Sequence, residues 1–194
     1  MAKIFLRRAQ EQDLDAIMKI IDDAKEFMKQ SGSPQWQDGH PNQEMFAKDI
    51  AAQINWVLVH DNDIAGTASL QLTPDPAYRV IEQGHWAQPN EPYATIHRVA
   101  ISSKYRGQHM STFLFSNLLT VGQMQGMKNF RLDTHAQNKA VQHIAESFNF
   151  QRRGIITIDD RLDPHRIAYE LNLASTPQLH HVNNDFMQSL IDNL

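Results

Sequence analysis

Apolar residues recur along the chain with two periods, and the change from one to the other marks out the elements. Residues 3–8 read as a strand. Leu14, Ile17, Met18, Ile21, Ala24 and Met28 then fall at helical spacing behind Asp13, a residue type that caps helix starts, and Gly32 closes that helix. Residues 31–42 hold two prolines, two glycines and Trp36, which predicts an ordered loop. A second helix follows from Asn42 to about Gln53.

Two strands, 56–60 and 64–72, flank the turn Asp61-Asn62-Asp63. Residues 73–92 carry four prolines and read as irregular, with room for a short helix over 78–83. Residues 93–101 are rich in β-branched and aromatic types and predict a central strand. A long helix over 110–125 turns Met110, Phe113, Leu114, Leu118 and Val121 inward and stops at Gly126. A strand at 130–134, a helix at 138–147, and a closing hairpin of 150–157 and 166–171 around Asp159-Asp160-Arg161 complete the series. Strands and helices mix without strict alternation, so the pattern predicts an α+β fold with a mixed sheet flanked by helices.

Residues 172–194 stand apart. Phe186, Met187, Leu190, Ile191 and Leu194 make one face of an amphipathic C-terminal helix, which packs either on its own domain or on a second copy as a homodimer. The expected organisation is one domain over 1–171 with a helical extension over 172–194.

Composition removes several function classes. Among 194 residues, 41% are apolar, enough for a core, and the net charge is only −4 with no Lys/Arg block, so no nucleic-acid partner is expected. There is no cysteine, which excludes disulfides, thiolate nucleophiles and Cys-based zinc sites. The ten histidines fall in no metal-ligand spacing, so no metal is expected. No apolar run reaches bilayer length, and residues 1–8 read as a charged strand rather than a signal peptide; a cytoplasmic protein without a membrane partner is the expectation.

The chemistry concentrates between residues 93 and 150. A strand ends at Ile101, a tight polar connection follows (Ser102-Ser103-Lys104-Tyr105-Arg106-Gly107-Gln108-His109), and a helix begins at once. A helix start offers unpaired N–H groups and the positive end of the dipole, a ready phosphate site beside Arg106 and Gly107. The same residues also suit an ordinary strand-to-helix loop with a surface arginine.

Three segments together widen the reading: Val99-Ala100-Ile101, then Arg106-Gly107-Gln108-His109-Met110-Ser111, then a helix opened by Asn138-Lys139-Ala140 and closed by Asn149-Phe150. In order and spacing they resemble the GNAT N-acetyltransferases, over roughly residues 3–171. Four positions depart from the family pattern. His109 and Asn149 stand where glycine is usual, Ser111 at a small-residue position, and Ala145 where many members have a tyrosine acid.

The resemblance implies a mostly antiparallel sheet with two splayed neighbouring strands, and acetyl-CoA as acyl donor. It implies that Val99, Ala100 and Ile101 meet the pantetheine arm like an added strand, and that the pyrophosphate sits over Gly107, Gln108, His109, Met110 and Ser111 beside Arg106. Asn138 would reach the pantetheine or the thiol. His109, in this reading, takes helical angles at the helix start. The implied reaction is direct attack by a primary amine of a small molecule, amino acid or peptide, with a backbone N–H stabilising the oxyanion. For the base, His97 faces the expected acetyl position, and His135 follows Asp133-Thr134 on the facing strand. Phe27, Gln35, Trp36, Gln37 and Tyr93 would line the acceptor pocket, although Trp36 equally suits a core residue pinning its loop. Two other readings stay open: a non-catalytic acyl-CoA-binding sensor with this fold, and an interaction protein without a ligand.

Overall fold

The computed structural model describes residues 2–158 and 163–173. The expected C-terminal helix, from 174 on, and the turn at 159–161 lie outside the described residues, and with them any homodimer contact.

Seven strands form one sheet: β1 (Ile4–Arg8), β2 (Asn55–His60), β3 (Asp63–Gln71), β4 (Tyr93–Ile101), β5 (Asn129–Thr134), β6 (Gln151–Thr157) and β7 (His165–Asn172), in the order β1-β2-β3-β4-β5-β7-β6. Among the described residues four helices cover it: α1 (Leu14–Gln30), α2 (Gln43–Ala51), α3 (Met110–Met124) and α4 (Lys139–Ser147). Every strand pair is antiparallel except β4 with β5. The mixed sheet and its sequence of elements are those the pattern predicts. No helix among the described residues is long and apolar enough to cross a membrane.

Strand alternation sorts the core onto the two faces. Leu58 belongs to one core cluster with Leu114, Phe115 and Leu118 of α3 and with Phe148, while its neighbours Val57 and Val59 belong to another with Ile17, Ile20, Ile21, Phe46 and Ile50 of α1 and α2. Helix α3 is rotated from the predicted face. Phe115 and Leu119 are fully buried, whereas Phe113 and Val121 are only half-buried, because both flanks of this helix meet apolar neighbours. Gly122 permits its contact with β5, since a Cβ there would lie 2.4 Å from the Phe130 ring.

Two expected local features are replaced by others. Asp13 does not cap α1. Its carboxylate instead accepts from both Arg7 guanidinium nitrogens, at 2.6 and 2.9 Å, and from the Gln10 amide. No helix forms over 78–83. A 3-10 turn starts earlier, at Pro76–Tyr78, because the Asp75 side chain accepts from the Ala77 amide ahead of it, and Glu82 then bridges to Ile155. That connection buries Tyr78 and Trp86 in a third cluster with Tyr93.

The feature that creates a site is the parting of β4 from β5. They pair only at Tyr93↔Asn129, Ala94↔Phe130 and Thr95↔Arg131. Beyond, β4 continues to Ile101 with its β5-facing edge unpaired. On its other edge β4 bulges: Thr67 pairs with Ala100 and Ser69 with His97, so Ala68 faces both Arg98 and Val99. Arg98 sits at φ +53° in this bulge.

The Arg7–Asp13 pair generates a prediction. Arg7 above all holds the Asp13 carboxyl below the usual carboxylate range. The unfolded chain therefore binds more protons, and the stabilisation is present above the ordinary aspartate pKa and lost as pH falls through the lowered folded value. Asp13→Ala is expected to cost about 1–3 kcal/mol at neutral pH, read by urea unfolding, with the difference from wild type shrinking as the pH is taken below about 4.

Candidate active site

Two cavities open along the cleft that β4 and β5 leave between them. The larger is a groove of about 610 Å³ between α1, the end of β4, the start of α3 and the start of α4. The smaller, about 120 Å³, lies in the splay itself, with Ile96, Phe115 and Leu132 as apolar lining and His97, Asp133 and Thr134 among its polar groups. The two share Trp36, Val99, Asn138 and Val141.

The groove is extended, and a loop and a helix start close one end of it. Among the described residues, the amides of Gly107, His109, Met110 and Ser111 have no backbone acceptor, while neighbouring Gln108 donates to Tyr105 O. The loop that presents them is tied down on two sides. The Tyr105 hydroxyl and Lys104 both reach Asp63 at the start of β3, and Ser103 Oγ donates to Asp23 of α1 at 2.8 Å. His109 is at φ +57°, ψ +19°, so it does not take the expected helical angles; it occupies the left-handed region in which glycine is unstrained. This conformation gives the loop the turn that a glycine would give. Arg106 lies over the Phe27 ring, 4.2 Å from its centroid, and Lys139 stands on the groove's other wall. Along the floor, the unpaired β4 edge through Val99, Ala100 and Ile101 offers backbone groups to an extended chain.

The bulge that aims this edge is pinned by a polar cluster. Asp49 of α2 accepts from Arg98 Nε at 2.9 Å, from Arg98 Nη2 and from Ser69 Oγ, and Asn55 and Thr67 continue the network.

The sequence-derived candidates separate into three groups. Val99, Ala100, Ile101, Arg106, Gly107, His109, Met110 and Ser111 line the groove; Gln108 does not, and its side chain turns back to Lys104 O. Asn138 stands where the cavities meet, with both ends of its amide engaged. Oδ1 accepts from the Val141 amide at 3.3 Å as the α4 cap, and Nδ2 donates to Gln35 Oε1 at 3.1 Å.

Of the acceptor candidates, Gln35 and Trp36 line the small pocket. Trp36 also packs on the α1–α2 core, the alternative place expected for it. Phe27 lies instead on the groove, under Arg106. Gln37 lines neither cavity and donates to Lys25 O and Gln35 O, fastening its loop to α1. Tyr93 is buried at the closed end of the splay beneath the Arg131 guanidinium, 3.8 Å away.

Of the two histidines, His97 lines the small pocket. His135 lines neither cavity. Its Nδ1 accepts from the Gln137 amide at 3.2 Å and its Nε2 lies 2.8 Å from Asp163, so both nitrogens are occupied. Asp133 does not orient His135; it accepts from the Tyr78 hydroxyl at 2.6 Å and faces His97. Ala145 is fully buried. Lys139, Asp75 and Tyr78 were missed in the sequence. Only Lys139 had a signal, its place in the first turn of a helix beside Asn138.

The sequence matches the acetyltransferase (GNAT) family model over residues 15–150. A GNAT-family acetyltransferase from Streptococcus agalactiae 2603 is 31% identical, with a TM-score of 0.76 over 87% of this chain and 95% of that one. The ribosomal-protein-S18-alanine N-acetyltransferase from Escherichia coli, 17% identical, shares the fold at a TM-score of 0.60 over 91% of this chain and 97% of that one. A chain of the NatC complex bound to Gag peptide and CoA, 16% identical, does so at 0.61 over 88% and 99%. A comparison with curated proteins gives no significant match. The chain belongs to the GNAT family of acetyltransferases, and is by class an acyltransferase.

Removing the bulge anchor should be costly. Asp49→Ala leaves Arg98 without its carboxylate in a largely buried setting, and about 3 kcal/mol of stability is expected to go. Chemical denaturation measures it; a loss under 1 kcal/mol would mean that the bulge holds without Asp49.

Proposed function

We propose that the protein transfers the acetyl group of acetyl-CoA to the primary amine of a small molecule, amino acid or peptide by direct attack. The observation that carries this reading is the meeting of the two cavities. A groove with unbonded amides at one end runs into a small polar pocket that holds His97, and the two join at Trp36, Val99, Asn138 and Val141. The E. coli protein of the same fold is named a ribosomal-protein-S18-alanine N-acetyltransferase, and the NatC complex is described as bound to Gag peptide and CoA; both are compatible with this assignment.

In it, the amides of Gly107, His109, Met110 and Ser111, with Arg106 and Lys139, hold the phosphates. The β4 edge pairs with the pantetheine arm, which brings the thioester to the junction. The amine enters the small pocket, whose volume is only a few times the roughly 30 Å³ share of one water molecule. A compact amine, or the end of a longer one, fits that space. His97 takes the proton as nitrogen attacks the carbonyl carbon and the thiolate departs. Asn138 holds Gln35 across the junction and keeps the walls of both cavities in register.

Calorimetric titration with acetyl-CoA and CoA is expected to give micromolar binding, and absence of binding would end the assignment. Arg106→Ala should weaken that binding about tenfold with the melting temperature unchanged. His97→Ala should lower kcat about a hundredfold or more and leave acetyl-CoA affinity intact, measured as CoA release with glycine, ethanolamine, putrescine and an alanine-initiated peptide. Binding without release across this panel would favour the sensor reading.

A further inference from the structure

Three groups outside the groove converge on His97. Asp75 and Tyr78 come from the β3–β4 connection, and Asp133 from β5. His97 Nε2 is buried and lies 3.1 Å from Asp75 Oδ2, close but not aligned for a hydrogen bond. His97 Nδ1 lies 4.0 Å from Asp133 Oδ1, too far for a direct bond. The two carboxylates occupy different sides of the ring: Asp133 lines the small pocket, whereas Asp75 lines a separate recess with Pro76, Ala77 and Val80. Tyr78, fully buried, meets the imidazole edge-on and fixes Asp133 through its hydroxyl.

We propose that Asp75 is a positioning residue for His97, keeping the ring proton on Nε2 and leaving Nδ1 as the nitrogen that takes the acceptor's proton in the small pocket. The proposal rests on His97 being the base. A neutral imidazole has one N–H, and the partner of one nitrogen decides which nitrogen is left basic. Asp75 is suited to that part. Its Oδ1 is used by the Ala77 amide at 2.9 Å, which aims Oδ2 at the ring. His97 foremost, and then that amide, hold its carboxyl below the usual range against the opposing effect of burial, so it is charged at neutral pH. The loose alignment agrees with a free site, in which such bonds tighten only when substrate arrives. The carboxylate also stabilises the imidazolium once Nδ1 is protonated.

The surrounding charges do not compete for the part. Arg98, next on β4, is paired with Asp49. Asp133 has the Tyr78 hydroxyl, and Asp38, His40 and Arg166 are the other titratable groups on the pocket.

The test uses the full chain and the amine of the panel above that releases CoA fastest. Asp75→Asn keeps an oxygen for the Ala77 cap and removes the charge. It is expected to lower kcat about tenfold or more, move the acid limb of the kcat profile to lower pH, and leave acetyl-CoA affinity unchanged, with Asp75→Glu recovering part of the rate. Asp75→Asn placed on His97→Ala should add no further loss, since Asp75 acts through His97. A full additional loss in the double variant would overturn the proposal, as would a normal rate and pH profile in Asp75→Asn beside an impaired His97→Ala. A normal rate in His97→Ala would instead overturn the base assignment itself. Nitrogen-15 NMR of the wild-type imidazole gives a readout that does not depend on any variant folding: a proton on Nε2 of neutral His97 is expected, and a proton on Nδ1 would overturn the proposal.

Discussion

Everything at the site depends on a wedge between two parallel strands that start together and separate. Its closed end is clamped by Arg131 of β5. That guanidinium is almost fully buried between the rings of Trp86 and Tyr93, 4.0 and 3.8 Å away, and donates to Glu170 of β7 at 3.2 Å and to Gln88 O at 3.0 Å. Arg153 holds the other oxygen of Glu170 at 3.1 Å. The charge buried here is thus matched and hydrogen-bonded, the condition under which burial is tolerated. At the open end the Asp49–Arg98 pair fixes the bulge that sends β4 away from β5. A clamp at one end and an anchored bulge at the other leave a cleft whose walls are both backbone edge and side chain.

The cleft explains how a flat sheet comes to hold two cavities of different character. Where β4 runs on unpaired, its peptide groups face an extended space that ends at the start of α3. Where the strands have just parted, the gap is narrow and lined by side chains of both. Thr134 Oγ1, on a residue that lines that pocket, is buried and has no hydrogen-bond partner among the described residues.

The fold was largely legible from periodicity because most strands and helices bury one face, which writes the pattern into local sequence. The loop between β4 and α3 was legible for a similar reason, being eight consecutive residues between a strand and a helix. The placement of single side chains was not. Phe27 lies on the groove under Arg106 and not on the small pocket, and Tyr93 is taken by Arg131, a partner 38 positions away that no local pattern announces. His135, the second candidate after His97, has both its nitrogens used by Asp163 and the Gln137 amide, neither of which sequence spacing discloses. Asp75 and Tyr78 lay in a proline-rich stretch with no period. Their importance comes from a connection that folds back over the sheet, and long-range returns of this kind leave no trace in spacing.

Under the proposed assignment, the contact between Arg106 and Phe27 also bears on how fast the groove captures the phosphates. A free arginine samples many rotamers, and confining it costs up to about 2 kcal/mol. Stacked on an exposed ring, this guanidinium is already confined at the groove wall before anything arrives. Less freedom is then left to lose at the moment of encounter, and a docking anion need not wait for a swinging side chain. The half-exposed phenylalanine on α1, apolar and outside any core, acts in this way as the rest on which the arginine is held ready.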